Sequence, residues 1–243
     1  MSSRKPTSPN KYLPFVIIVV VLGAALLGAV LLYQKSTDTA RTARLDEPLS
    51  TAARPTAAPS PRTPLPGAQP PRTRGGSSGE NTATLEEFGD FQCPPCGAMH
   101  PIIKAIEEEN GSRLRVIFRH LPLSNHAHAF NAALAAEAAG RQNRFWEMHD
   151  ALYEKQKSWS TATDARPLFV EYARSLGLDV TRFSSDMNAP EVVARVRADM
   201  QRADSLGISG TPTLLINGRE VAYSTVNDLR ERIKNAVATG GGQ

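Results

Sequence analysis

The chain has 243 residues, a formal net charge of +4 and only two cysteines. That length suits one domain of ordinary size plus extensions, and two cysteines exclude both a disulfide network and a four-ligand structural zinc site. The basic excess sits before residue 75 (Arg4, Lys5, Lys11, Lys35, Arg41, Arg44, Arg54, Arg62, Arg72 and Arg74 against Asp38, Asp46 and Glu47), and no basic stripe interleaved with aromatics follows it, which argues against a nucleic-acid partner.

Residues 1–12 contain Arg4, Lys5 and Lys11 and no acid. Residues 13–33 are uncharged, and 21 residues span about 31 Å as a helix, close to the ~30 Å of a bilayer core. The run is longer than the apolar part of a signal peptide, and only Thr39-Ala40 offers a weak cleavage site. The expectation is an uncleaved, single-pass anchor with a cytoplasmic N-terminus and the rest of the chain on the extracytoplasmic side. Residues 34–80 hold Pro48, Pro55, Pro59, Pro61, Pro64, Pro66, Pro70 and Pro71, then Gly75-Gly76-Ser77-Ser78-Gly79. Such composition predicts a disordered linker, extended at first and flexible at its end.

Apolar periodicity resumes at about residue 82. A strand is predicted over 82–88, a helix over 93–110 stopped by Gly111, and a second strand over 114–119 from the alternation of Leu114, Val116 and Phe118. A helical block follows, with helices over 127–139, 144–155, 168–176, 179–187 and 191–206. Phe145, Met148, His149 and Leu152 share one face of the second of these. A strand over 213–216 then meets the Asn217-Gly218 hairpin signal and a partner over 219–222. Thr225-Val226-Asn227-Asp228 caps a last helix over 229–237. The order predicts an α/β domain over 81–240 with an all-helical insertion over about 121–206.

The two cysteines form Cys93-Pro94-Pro95-Cys96, where a strand ends and a helix begins. Free backbone N–H groups and the positive end of the helix dipole favour a thiolate over a thiol there. Cys93 is expected to be the solvent-facing nucleophile and Cys96, one turn in, the resolving thiol. Pro94 suits the first helical position. Pro95 removes an N–H that could have pointed at the Cys93 sulfur, which predicts a less oxidising pair than one with histidine there.

The segment Glu86-Glu87-Phe88-Gly89-Asp90-Phe91-Gln92 with the Cys93–Cys96 pair resembles the active-site strand and helix start of DsbA-like thioredoxin-fold proteins. Pro101, Phe118-Arg119-His120-Leu121-Pro122-Leu123 and Gly207-Ile208-Ser209-Gly210-Thr211-Pro212-Thr213 extend the resemblance over about residues 80–240. It implies a thioredoxin-like fold, a cis Thr211–Pro212 bond beside the sulfurs and a buried acid, Glu87, beneath Cys96. It also implies a thiol–disulfide oxidoreductase acting on exported proteins, most simply by introducing disulfides, reoxidised by a DsbB-like or vitamin-K-epoxide-reductase-like membrane partner. Thr211 stands where the strongest oxidants carry valine, which keeps reductase or isomerase activity open.

No cofactor or metal is expected. His126 and His128, two apart, do not share a helix face, so with His120 they make a poor ligand set. His100 reads as a solvated helix residue, and Phe91 and Met99 as either an apolar rim or core. Phe145, Trp146, Trp159, Phe169 and Phe183 read as core of the insertion. The rival from another class is a copper-handling or chaperone-like module, since copper(I) favours thiolates.

Overall fold

The computed structural model describes residues 64–77 and 82–240, which belong to one compact unit. The expected anchor at 13–33 lies outside them. Among the described residues no helix is long and apolar enough to cross a membrane.

The strands are β1 (Arg72–Gly75), β2 (Ala83–Gly89), β3 (Leu114–His120), β4 (Thr213–Ile216) and β5 (Arg219–Glu220). Their order in the sheet is β1-β3-β2-β4-β5. β2 and β3 run parallel, joined through helix α1 (Pro94–Asn110), and the other pairs are antiparallel. Between β3 and β4 lie α2 (Ala129–Gly140), α3 (Phe145–Glu154), α4 (Gln156–Trp159), α5 (Arg166–Ser175), α6 (Val180–Asp186) and α7 (Pro190–Ser205). α8 (Val226–Ala238) closes the chain. This is the expected α/β domain with its helical insertion; the expected elements moved by only a few residues at their ends, and the short α4 is an addition to the five insertion helices expected.

Local chemistry accounts for those ends. Gly111 and Gly177 take positive φ, 54° and 72°, where a side chain would be strained. Asn217 and Gly218 both take positive φ, the geometry of the tight hairpin turn between β4 and β5. The Thr225 side chain accepts a hydrogen bond from Asp228 N and starts α8.

Alternation along β2 sends Leu85 and Glu87 to one face and Glu86 and Phe88 to the other. On the first face Leu85, Val116 and Leu214 pack with Ile103 and Ile106 of α1 and Leu229 and Ile233 of α8. On the second, Phe88 and Leu215 pack with Ala203 of α7. The insertion has its own core, in which Phe145, Trp159, Phe169 and Phe183 are buried and the alanines of α2 let neighbouring helices approach. Trp146 is only half-buried and turns to β1 instead.

β1 corrects the expected linker boundary, because the ordered domain includes residues 64–77. Arg72 pairs with Glu137 and lies 4.9 Å over the Phe145 ring. Arg74 lies 4.5 Å over Trp146 and pairs with Glu107 and Asp150. Trp146 Nε1 donates to Thr73 O at 2.9 Å. Upstream, Ala68 N donates to Asp199, and Arg195 and Arg202 donate to carbonyls of Leu65, Gln69 and Pro70. The strand is held by arginine stems, ion pairs and aromatic faces, so the apolar alternation that betrays most strands is missing.

Candidate active site

β2 delivers the cysteine pair. Asp90 follows its last residue, and the chain turns into Cys93, which is extended (φ −70°, ψ 119°) at the N-cap of α1 with proline in the first turn. Cys93 N donates to Asp90 O at 3.1 Å. The buried Asp90 carboxylate accepts from Gln92 N at 2.7 Å and Leu123 N at 2.9 Å and bonds His126 Nδ1 at 2.7 Å. One side chain therefore fixes the entry to α1 and the exit from β3 together. The Thr211–Pro212 bond is cis, as the resemblance implied. The Cys93 thiol donates to Thr211 O at 3.4 Å, so residues 118 positions apart meet at the sulfur.

Both cysteines are free thiols. The expectation of a solvent-facing Cys93 is corrected, since the residue is only 5% exposed. The insertion is laced to the backbone on either side of it. Gln156 Nε2 donates to Phe91 O at 2.7 Å and to Cys93 O at 2.9 Å. Gln92 donates to Ser160 O at 2.9 Å and accepts from His128 N at 2.6 Å. Phe91 and Met99 are both buried, so they are core and not a rim.

Cys96 is fully buried. Burial pushes its thiol well above the ordinary range, and the Glu87 carboxylate adds to the rise. Glu87 lies on the α1 side of β2, in register with Phe118 and Leu214 of the flanking strands. It is 3% exposed, and its Oε1 has no hydrogen-bond partner. Burial pushes its carboxyl up to about 7 against a smaller downward pull from Arg74. Glu86 is buried as well, but on the opposite face. It pairs with Arg119 Nε at 2.7 Å and Arg202 Nη2 at 2.8 Å.

The histidines separate. His120 bonds Glu137 at 3.2 Å, His126 bonds Asp90, and His128 Nε2 bonds Ala162 O at 2.7 Å. His100 is corrected from solvated to buried, with Nε2 3.0 Å from Asp150 Oδ1. His100, His149 and Asp150 could supply three metal ligands whose atoms lie within 4.8 Å of one another. The same Asp150 oxygen, however, is 2.9 Å from His149 Nδ1 and 3.1 Å from Arg74 Nη1, and Lys104 lies 3.4 Å from the other. Two fixed cations and two imidazoles already satisfy this carboxylate, which makes it the hub of an ion-pair network. Burial lowers His149 to about 3, so its ring is neutral at physiological pH.

Three residues that sequence reasoning passed over reach the pair. Asp90 carried a readable signal, since Asp two positions before a turn residue bonds its own backbone. Tyr153 and Gln156 carried none, because only the tertiary docking of α3 and α4 brings them here.

The thioredoxin family model matches residues 74–235. A Na(+)/H(+) antiporter NhaA from Salinispora arenicola is 40% identical over 141 residues, which make up 58% of this chain and 21% of that protein. The chain thus spans about a fifth of the length of the curated relatives it matches. Among solved structures, a thioredoxin-like oxidoreductase from Silicibacter pomeroyi superposes with a TM-score of 0.58 at 27% identity, covering 68% of this chain and 91% of that one. The thiol-disulfide exchange protein alpha-DsbA2 from Wolbachia pipientis shares the fold with a TM-score of 0.57 at 20% identity, covering 68% and 86%.

Proposed function

The chain belongs to the thioredoxin family and carries the DsbA-like form of its fold, and from that premise we propose that it is a thiol–disulfide oxidoreductase acting on exported proteins through Cys93 and Cys96. The observation that supports this most is the Cys93 sulfur at a helix N-terminus, 3.4 Å from the Thr211 carbonyl. A substrate strand laid along the Thr211 backbone would bring its own sulfur to that point.

In the oxidising direction, a substrate thiolate attacks Cys93 of the Cys93–Cys96 disulfide, the bond between the two cysteines breaks, and Cys96 leaves as thiolate and takes a proton. A second substrate thiolate attacks the substrate sulfur of the mixed disulfide and expels Cys93. The substrate gains one disulfide and the enzyme holds two thiols. Glu87 supplies the proton that Cys96 takes, because a buried carboxyl near 7 is partly protonated at physiological pH. Return to the disulfide form falls to a quinone-linked membrane partner. Residues 13–33 would hold the domain beside that partner, on the extracytoplasmic face.

The test is Cys96→Ser in the full chain, expressed in cells and resolved without reductant. Covalent adducts with exported proteins, lost on adding reductant and absent from a Cys93→Ser chain, are expected. A Cys96→Ser chain that stays free of adducts would overturn the reading. The direction of electron flow is decided by the reduction potential, with a value near about −120 mV expected for an oxidase and near about −270 mV for a reductase.

A further inference from the structure

Tyr153 points from the insertion into the sheet. Its residue is 5% exposed, and its hydroxyl is buried without a hydrogen-bond partner. Gly89 places that hydroxyl, because a Cβ added there would stand 2.8 Å from Tyr153 Oη. Gly89 and Glu87 are two apart on β2, so they line one face, the face that α1 covers. The Tyr153 hydroxyl therefore sits over the same face as the Glu87 carboxylate. Glu87 Oε1 is also without a partner. Two unpaired buried polar atoms over one face of β2 cost stability unless they are used.

We infer that Tyr153 is a positioning residue for the buried half of the exchange, its hydroxyl donating a hydrogen bond to the negative charge as the proton passes between Cys96 and Glu87. The inference rests on the exchange reading above. Burial, and after it the charges of Glu87, Cys96, Asp90 and Cys93, holds the Tyr153 hydroxyl well above its ordinary range, so it stays a protonated donor. The groups facing it are Glu87 from β2, Asp90 and Cys93 from the turn between β2 and α1, Cys96 and His100 from α1, and His149 from its own helix. The His100 and His149 rings stand 5.2 Å and 5.1 Å from its own. Arg74 and Asp150 complete the surrounding charges.

A small aromatic disulfide that releases a coloured thiol separates the two halves of the reaction. Cys93 attacks it first, forming a mixed disulfide and expelling one coloured thiolate. Cys96 then gives its proton to Glu87 and attacks the Cys93 sulfur, the bond to the probe breaks, and a second thiolate leaves. Two probe thiols are released as one Cys93–Cys96 disulfide forms. In the full-length chain, Tyr153→Phe is expected to leave the first release within about twofold and to slow the second at least about tenfold, the size of a hydrogen bond to a charged group. The pH midpoint of the second release should move with it. In a Glu87→Gln background Tyr153→Phe should slow the second release no further.

An unchanged second release in a folded Tyr153→Phe chain would overturn the inference while leaving the exchange reading intact. So would slowing that simply multiplies with that of Glu87→Gln. A wild-type chain that gives no second release would overturn the exchange reading itself. If Tyr153→Phe does not fold, 3-fluorotyrosine at 153 keeps the hydroxyl and makes it more acidic. The second release must then shift its pH midpoint, and an unshifted profile refutes the role.

Discussion

Replacing Glu87 with glutamine should stabilise the protein at neutral pH, and the gain should vanish in acid. Burial raises the Glu87 carboxyl from an ordinary 4.5 to about 7 in the folded chain. Between those values the folded state binds more protons than the unfolded state. Stability therefore falls as pH rises through that window, is unaffected below it, and stays lowered above it. At about 1.36 kcal/mol for each tenfold change in proton affinity, the full effect is about 3 kcal/mol. Glutamine does not titrate, so Glu87→Gln escapes this loss. The assay is urea denaturation of both full-length chains with the thiols kept reduced, from about pH 4 to about pH 8. The stability difference between them should start near zero and grow by about 3 kcal/mol across the window. Glu137 and Asp150 are shifted the other way, because ion pairs and hydrogen bonds outweigh their burial. Their contributions are lost only in stronger acid and cancel between the two chains. Parallel stability curves for wild type and Glu87→Gln would refute the reasoning.

Beginning the chain at residue 81 instead of 61 should cost at least about 3 kcal/mol, because it strips Arg72 from the buried Glu137 and leaves the β3 edge bare; equal denaturation midpoints would make β1 an ornament. Gln156→Ala removes the clamp across Phe91 O and Cys93 O, and with about 1 kcal/mol less holding the insertion down, alkylation of Cys93 in a Cys96→Ser chain should quicken about fivefold; an unchanged rate would mean that Gln156 does not guard the sulfur. Pro95→His should make the pair more oxidising by at least about 30 mV, equivalent to about 1.4 kcal/mol, measured against a glutathione buffer series; an unmoved or more reducing potential would sink the argument from the missing N–H.

The elements written in apolar periodicity were legible. Phe145, Met148, His149 and Leu152 share a face in the sequence and are buried together in α3. The turn at Asn217-Gly218, the stop at Gly111 and the cap at Thr225 follow from backbone chemistry that is local to a few residues. β1 was illegible because its buried groups are guanidinium stems facing Glu137, Glu107 and Asp150, partners 33 to 76 positions away that no window along the chain brings together. His100 failed for the same reason. On the helix it looks solvated, and only α3, docking over α1, buries it against Asp150. The cysteine pair could be named from its place between a strand and a helix, and the cis proline and Glu87 through the resemblance that the segments around them carry. The covering of Cys93 could not, because Gln156 and the segment after it arrive from the insertion.

Glu86 and Glu87 show what the sheet adds to that list. They are neighbours of the same type, both buried, and the strand alternation sends them to opposite faces. Glu86 meets two arginines and is held below its ordinary value despite burial, so it stays charged and ties β2 to β3 and α7. Glu87 faces α1, where the chain offers a distant arginine, an unpaired tyrosine hydroxyl and a buried thiol, and its carboxyl rises. A carboxylate serving structure alone would sit better on the arginine side, since an unpartnered buried acid costs stability and a paired one need not. The same backbone supplies ion pairs a residue away, so the unpaired state of Glu87 is not forced by a shortage of arginine. It is the arrangement that the proton-carrier role proposed for Glu87 would need, because a carboxyl near neutrality can both give and take a proton.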